Sequence, residues 1–482
     1  MALSSALFSG ISGLSSLGNA MQIIGDNIAN VNTVGFKGSD FTFQDLLSQS
    51  ISTQSGTSQV GRGTAIGDVS VSFGQGSFES TGNTTDLAIG GDGFFELREA
   101  GGSNLYYSRA GNFQFDKDGY LSNPEGYIVQ GWQVDTSGED VGSVTDVRLD
   151  SFTSPPDASD EMTVISNLNA DETSTSDLAT LTGTWDGSND GMQNTANYSY
   201  QSTVKVYDQL GSTHDITVYY AKDPTDSSQW NYIITCNPDE DNRTGAKTGT
   251  PATPTEAAGL LAQGTIQFSD SSGTISNMTM NTFNGTDYTN PTAAANWTAQ
   301  TVDTTTGYLT FQPDFLGGTG TAMDVSLNLG SHNDGTSWVN DSLTTTQYSR
   351  SSSTTFQSAT GYGAGDLQGV DVSTDGLITG KYSNGQLIPL YRVALAKFQN
   401  NQGLQKQGNS LYRETRESGY ATTNIPGTNG LGSISPNSLE QSNVDIANEF
   451  VKMITTQRGF QANSKIITVT DQMLANLINL KQ

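Results

Sequence analysis

The sequence predicts a mainly β protein with α-helical termini, in which nested β-domains are inserted between N- and C-terminal helices of the coiled-coil type. Apolar residues recur at heptad spacing in residues 1–31 and return at helical spacing in residues 439–482. Short alternating segments bounded by turn residues fill roughly 400 residues between them. Charged residues make up only 15% of the chain, so Ser, Thr, Asn, Gln and Gly must form the surface, which favours strands and turns.

Length and charge limit the classes of function. A chain of 482 residues is long enough for about two to four domains. Its net charge of −28 argues against nucleic-acid binding and against an anionic membrane surface. We expect no membrane insertion, because no window approaches the roughly 18 apolar residues that a span needs. The N-terminus lacks a basic region and a compact apolar run, so we expect export without a Sec signal peptide. Cys236 has no cysteine partner within the chain.

The first predicted element is a helix over residues 1–31. Two heptad positions carry its apolar stripe, with Leu7, Leu14, Met21 and Ile28 at one and Leu3, Leu17, Ile24 and Val31 at the other. Asp26 is the single charged side chain of residues 1–36, so the other faces suit packing against helices better than water. We predict that this stripe serves polymerisation, and a core helix of one domain is the alternative. Asn30, Asn32 and Gly35 are expected to end the helix.

The middle of the chain is predicted to hold nested β-domains. Residues 34–70 lack periodicity and are expected to form a linker or extended arm. Residues 71–150 and 356–436 share a design of short strands and Gly turns, which predicts one inner β-domain in two segments. Residues 151–355, with 5 Lys and Arg against 23 Asp and Glu, are expected to form one or two outer β-domains. Within them, only residues 255–263 carry a helical pattern.

The last predicted element is a second long helix, which joins residues 437–482 to residues 1–33 in a terminal polymerisation domain. Ser442 or Asn443 is expected to cap its start, with Asp445 and Glu449 complementing the helix dipole. Its predicted polymerisation residues are Phe450, Ile454, Ile466, Val469, Met473, Leu477 and Leu480.

Recognisable catalytic motifs are absent from the sequence. It contains neither Gly-x-Ser-x-Gly nor His-Glu-x-x-His, and its two histidines have no nucleophile context. Residues 116–119 resemble the start of a calcium loop, but Tyr127 stands where the twelfth position needs Glu, so a hairpin turn is predicted. We therefore expect no catalytic residue, no cofactor and no metal site, and a protein that is not an enzyme.

The two ends of the chain resemble the terminal signatures of bacterial flagellar rod and hook proteins. At the N-terminal end the resemblance covers residues 26–37, and at the C-terminal end it covers residues 442–445, 450–454, 457–458 and 461–465. Its signature residues are Asn27, Ala29, Asn30, Thr33, Gly35, Phe36 and Lys37, followed by Asn443, Val444, Gln457, Arg458 and Asn463. Residues 86–89, 93–95 and 107–113 are similar to the family's inner β-domain, and residues 204–220 to the outer domain of its hook members.

The resemblance implies a structural function. The long insertion at 151–355, and Val34 where many rod proteins carry Pro, favour the hook members. These form a flexible hollow tube, a universal joint that transmits torque from rod to filament. The implied partners are further copies in a helical homo-oligomer, the hook cap protein, the distal rod protein, the hook–filament junction proteins and the flagellar type III export apparatus. The alternatives are a distal rod protein of the same family, or a secreted β-rich glycan-binding protein or hydrolase, which would leave the terminal helices unexplained.

Overall fold

The computed structural model divides the chain into two compact units. It describes residues 2–53, 56–135, 137–149, 152–285, 287–318 and 322–479, with the side chains of 2–5, 49–53, 56–58, 60 and 477–479 left out. Unit 1 comprises Met1–Phe152 and Leu367–Gln482, and unit 2 comprises Thr153–Asp366. Unit 2 is thus an insertion in the sequence of unit 1.

The first segment of unit 1 contains one long helix followed by strands. Its elements are α1 (Ala2–Ala29), β1 (Ser39–Asp45), β2 (Gln49–Thr53), β3 (Gly56–Val60), β4 (Thr64–Val71), β5 (Phe78–Ser80), β6 (Leu87–Gly90), β7 (Phe94–Glu99), β8 (Leu105–Ser108), β9 (Gln114–Phe115), β10 (Leu121–Ser122), β11 (Tyr127–Val134) and β12 (Asp140–Asp146).

Unit 2 consists mostly of strands. Its elements are β13 (Thr153–Ser154), β14 (Glu161–Asn169), α2 (Leu178–Gly183), β15 (Trp185–Asp186), β16 (Gly191–Met192), β17 (Tyr200–Tyr207), β18 (Thr213–Lys222), β19 (Gln229–Cys236), β20 (Lys247–Thr248), β21 (Thr253–Pro254), β22 (Leu260–Phe268), β23 (Ile275–Phe283), β24 (Trp297–Ala299), β25 (Leu309–Phe311), β26 (Val325–Asn328), β27 (Ser331–Asn333), β28 (Trp338–Asn340), β29 (Thr346–Tyr348) and β30 (Ser353–Ala359).

The chain returns to unit 1 through one strand and ends in the second long helix. These elements are β31 (Gly365–Val372), β32 (Leu377–Tyr382), β33 (Leu387–Val393), β34 (Leu395–Lys397), β35 (Gln405–Gly408), β36 (Leu411–Arg413), β37 (Thr422–Asn424), β38 (Ser433–Pro436), β39 (Ser438–Glu440) and α3 (Ile446–Asn479). Short 3₁₀ turns lie at Gly187–Asn189, Thr195–Asn197, Ala294–Asn296 and Asn401–Gly403. Within the described residues, no helix is both long and apolar enough to cross a membrane.

An antiparallel ribbon follows α1. Strands β1 and β4, which we call the ribbon, pair from Ser39 opposite Val71 to Asp45 opposite Thr64, and β2 pairs with β3 between them. The segment 34–70, for which we predict a linker or extended arm, is therefore mostly strand, a feature that the prediction did not include. None of the side chains of β1 and β4 is buried, so neither face needs a continuous apolar row.

A large sheet forms the β-domain of unit 1. Its main path runs β31-β32-β33-β11-β7-β8-β36-β35, so three strands of the first segment lie between strands of the second. Its buried core includes Leu87, Phe95, Phe113, Val393 and Leu395. The predicted hairpin turn is confirmed between β9 and β10, where the Asp116 carboxylate accepts hydrogen bonds from the backbone N–H groups of Asp118 and Tyr120.

The start of the C-terminal helix differs from the prediction. β38 pairs with β6 and β39 pairs with β5, so residues 437–440 belong to the β-domain rather than to the helical domain. α3 begins at Ile446, and its cap is Asp445, whose Oδ1 accepts from Ala447 N at 2.8 Å. Ser442 and Asn443 are therefore not the cap, because the chain is still extended at these positions and Asn443 serves other partners.

Unit 2 encloses a core of its own. One sheet has the order β17-β18-β19-β22-β23-β24, and a second groups β14 with β25, β26, β29 and β30. Trp230, Tyr232 and Phe311 are fully buried in this core. The helical pattern predicted at 255–263 is wrong, because Leu260–Phe268 is strand β22 between β19 and β23. A short buried apolar run does not distinguish helix from strand.

Candidate assembly interface

Small side chains line the contact between α1 and α3. A Cβ added at Gly10 would lie 3.1 Å from Ile467, and one at Gly13 would lie 2.9 Å from the Asn463 side chain. Among the side chains of α1 that the structure describes, the buried ones belong to Gly10, Gly13, Ser16, Ala20, Ile24 and Asn27. They recur every three or four residues, which brings them onto one face and lets α3 approach closely. This small-residue seam was missed because heptad counting scores only large apolar residues.

The predicted stripe of α1 coincides with this seam only at Ile24. The half-buried members of that stripe are Leu7, Leu14, Leu17, Met21, Ile28 and Val31. Leu3 lies outside the described side chains. Phe8 and Ile11, which the prediction omitted, are 67% and 53% exposed. The large apolar side chains of α1 are thus only partly covered within one chain.

The predicted apolar residues of α3 mostly face away from α1. Phe450, Ile454, Ile466 and Met473 are between 46% and 51% exposed, and Val469 is half-buried. Leu477 and Leu480 lie outside the described side chains. Val451 is 61% exposed, so these residues form an apolar surface that one chain leaves open. Leaving such surface in water costs about 25 cal/mol for each Å², and patches of this kind mark interaction sites.

A buried ion pair connects the segments next to the two terminal helices to the β-domain. Lys37 Nζ lies 2.6 Å from Glu440 Oε1, and both side chains are fully buried. Arg109 Nη1 is 3.5 Å from Glu440 Oε2, and Gly76 N donates to Glu440 Oε1 at 2.8 Å. Burial lowers the pKa of Lys37, while its hydrogen bond to Glu440 opposes that shift. We call Lys37, Glu440 and Arg109 the buried joint.

Gly35 lies against the buried joint in a backbone conformation that requires glycine. Its φ is +66°, and a Cβ there would lie 2.4 Å from Ala110 N. Its N–H donates to the Glu440 carbonyl at 2.7 Å. The N-terminal signature therefore pairs directly with β39.

Two signature asparagines hold backbone groups with their carboxamides. Asn27 Oδ1 accepts from Ser39 N at 2.9 Å, and its Nδ2 donates to Ser39 O at 2.9 Å and to Glu449 Oε2 at 3.3 Å. Asn443 Oδ1 accepts from Gly38 N at 2.9 Å, and its Nδ2 donates to Ser72 O at 2.7 Å. Each carboxamide offers a donor and an acceptor together, so it matches an extended backbone edge.

The other signature residues divide into two groups. Some contact other parts of the chain. Thr33 Oγ1 donates to Asn30 Oδ1 at 3.2 Å just after the end of α1, and the Lys406 ammonium lies 5.4 Å from the Phe36 ring centroid. Val444 is half-buried. Asn463 contacts the seam, whereas Ala29, Gln457 and Arg458 are exposed.

Glu440 and Arg109 were not among the predicted site residues. A buried lysine needs a buried carboxylate, but its partner is 403 positions away in the chain. The sequence signals are that Glu440 stands two positions before the C-terminal signature and that Arg109 lies within residues 107–113, which resemble the family's inner β-domain.

Comparisons with known proteins agree with this architecture. Four family models match: "Flagella basal body rod protein" at 7–37, "Flagellar hook protein FlgE/F/G D1 domain" at 88–167, "Flagellar basal body protein FlaE D2 domain" at 167–362 and "Flagellar basal body rod FlgEFG protein C-terminal" at 435–480. Paired terminal helices, the signature contacts and the inserted β unit therefore define an axial protein of the bacterial flagellum.

Individual relatives give a narrower assignment. The flagellar hook protein FlgE of Borreliella burgdorferi is 34% identical, and the alignment covers 99% of each chain. That of Treponema pallidum is 31% identical over 99% of each chain. The solved structure of Helicobacter pylori flagellar hook protein FlgE2 overlaps with a TM-score of 0.43 at 15% identity, covering 75% of this chain and 100% of that one. The chain belongs to the flagellar hook protein FlgE family.

Proposed function

We propose that this chain is the structural subunit of the bacterial flagellar hook and self-assembles into a flexible hollow tube that transmits torque from the rod to the filament. Full-length similarity to hook proteins supports the assignment. The observation that carries the mechanism is the apolar surface of α3, which a single chain leaves open. A helical polymer of identical subunits can cover this surface, because a head-to-tail contact that does not close repeats indefinitely.

The terminal helices are the proposed polymerisation elements. Phe450, Ile454, Ile466 and Met473 on α3 and Phe8 on α1 would be buried against neighbouring copies. α1 carries one charged side chain, Asp26, so few charges would need to be desolvated when copies associate. The half-buried heptad residues of α1 would add to the same contact.

Family membership also supports a place and a set of partners. We propose that the chain is exported by the flagellar type III apparatus rather than by the Sec route, and assembles outside the cell beneath the hook cap protein. The distal rod protein would contact one end of the tube and the hook–filament junction proteins the other. In this role the chain supplies geometry and stiffness, with no catalytic step.

The test replaces an exposed apolar residue of α3 by a charge. Ile454 is 49% exposed in the single chain, so Ile454→Asp should leave the monomer folded while placing a charge in the proposed contact. We expect tubes from the unmodified chain and at least a tenfold rise in the concentration needed for assembly, which corresponds to about 1.4 kcal/mol. Electron microscopy and light scattering measure both.

A matched control separates position from charge. Ser464→Asp adds the same charge at an exposed polar position of α3 and should assemble normally. Tubes formed equally well by Ile454→Asp would contradict the proposed contact, and no tubes from the unmodified chain would contradict the proposed function.

A further inference from the structure

The ribbon is bound to α1 at both of its ends, through Thr64 of β4 at the far end and Ser39 of β1 at the near end. At the far end, Ser12 Oγ accepts from Thr64 N at 3.3 Å, and Ser16 Oγ donates to Thr64 O at 3.1 Å. At the near end, Asn27 holds both backbone groups of Ser39. The ribbon and α1 therefore behave as one body in any movement that preserves these bonds.

A glutamine of the β-domain holds the other edge of the ribbon. Gln402, in the 3₁₀ turn Asn401–Gly403, accepts from Val71 N at 3.1 Å through Oε1 and donates to Val71 O at 2.8 Å through Nε2. Val71 is paired with Ser39 at the base of the ribbon. The Ser39–Val71 pair is therefore held from both sides, by Asn27 from α1 and by Gln402 from the β-domain. Each carboxamide takes the place of a neighbouring strand.

The two clamps differ in burial. Asn27 is 3% exposed and also donates to Glu449, whereas Gln402 and its bonds to Val71 are exposed to water. An exposed hydrogen bond opens readily, because water replaces both partners, while a buried carboxamide would lose its bonds without replacement. Lys406 adds a second contact from the β-domain, donating to Ser39 Oγ at 3.1 Å.

We propose that Gln402 is a positioning residue: a releasable clamp that sets the direction of the ribbon and α1 relative to the β-domain of unit 1. When it opens together with the Lys406 contact, the ribbon and α1 can turn together about the buried joint and the neighbouring Asn443 bonds, which remain closed. A bent tube requires such freedom, because subunits on its inner and outer sides cannot have the same conformation. In this respect the inference rests on the proposed function.

The monomer tests the clamp without any assembly. Gln402→Ala removes both bonds, so we expect hydrogen–deuterium exchange at the Val71 amide to accelerate about fivefold or more, with exchange in the β-domain core unchanged. Gln402→Glu keeps an acceptor for Val71 N and loses the donor. The Val71 amide should therefore exchange at a rate between those of the unmodified chain and Gln402→Ala. Gln405→Ala, at an exposed glutamine of β35, is the matched control and should exchange like the unmodified chain.

Electron microscopy of tubes tests the consequence. We expect Gln402→Ala to form tubes with a broader distribution of curvature than Gln405→Ala. Val71 exchange and curvature that are both unchanged would overturn the clamp while leaving the proposed function intact. Faster exchange with unchanged curvature would overturn its role in setting direction. Should the unmodified chain form no tubes, the proposed function fails, and the exchange experiment still decides whether Gln402 holds the ribbon.

Discussion

Hydrogen bonds of individual side chains explain three of the signature residues at the chain ends. Asn27, Lys37 and Asn443 each hold a backbone or carboxylate group from a distant part of the chain. Gly35 is needed because its φ of +66° and its closeness to Ala110 leave no room for a side chain. These residues thus join α1, the ribbon and β39 rather than contributing apolar surface.

The first prediction concerns the charge balance of the buried joint. Glu440→Gln would leave Lys37 and Arg109 buried together without a counter-charge, so we expect the free energy of unfolding of unit 1 to fall by about 3–5 kcal/mol. Urea denaturation of the monomer, followed by hydrogen exchange within unit 1, measures the change.

An exposed ion pair provides the control for this substitution. Asp40→Asn breaks the ion pair between Asp40 and Lys452, whose side chains are 62% and 42% exposed, respectively. The free energy of unfolding should fall by less than about 1 kcal/mol. Equal losses for Glu440→Gln and Asp40→Asn would show that burial does not govern the strength of the joint.

At the scale of elements, the pairing of α1 with α3 depends on small residues. Gly10 and Gly13 on α1 face Ile467 and Asn463, and Gly459 on α3 faces Leu17. Ile467 and Leu17 pack against these glycines, whereas Phe8, Ile454 and Met473 stay exposed outside the contact within one chain. The exposed side chains therefore remain available to neighbouring copies.

The second prediction enlarges one residue of this contact. Gly13→Leu should separate the helices and cost about 1–3 kcal/mol, because a Cβ already lies 2.9 Å from Asn463. Gly18→Leu is the matched control, since nothing lies within 4 Å of its added Cβ, and the change should favour the helix slightly. Hydrogen exchange along α3 distinguishes them: faster exchange in both variants, or in neither, would contradict the seam.

At the scale of the whole molecule, unit 2 is inserted between two residues that remain neighbours in unit 1. Leu367 N donates to Phe152 O at 2.8 Å, so the chain leaves and re-enters unit 1 at one point. Each unit also has a core of its own, around Phe95 and Val393 in unit 1 and around Trp230 and Phe311 in unit 2. An insertion of this kind need not disturb the core that receives it.

The third prediction removes unit 2. Deleting Thr153–Asp366 and joining Phe152 to Leu367 through two glycines should leave unit 1 folded, with a cooperative thermal transition and protected amides in β7 and β33. We also expect this shortened chain to assemble, because the proposed polymerisation helices lie in unit 1. Circular dichroism, hydrogen exchange and electron microscopy test these outcomes, and a shortened chain without a cooperative transition would contradict the independence of unit 1.

The sequence by itself determined the fold class, the N-terminal helix and the family. Heptad spacing over 1–31 corresponds to α1 at Ala2–Ala29, and alternation beside a Gly turn corresponds to strands such as β17 and β18. These features are local, because the period of the apolar residues follows from backbone geometry within a few residues. The terminal signatures are equally readable, since they are contiguous in the chain.

Only the tertiary structure decided which side chains meet. The seam of α1, the pairing of Lys37 with Glu440 and the ribbon in residues 34–70 each depend on contacts between distant segments. The two ribbon strands pair through their backbones across a separation of about 20 residues or more, and several large apolar residues of α3 stay exposed because small residues allow the closer helix contact. Local periodicity shows that an apolar side chain needs cover, whereas the packing of the whole chain decides whether that cover comes from the same subunit or is left to another.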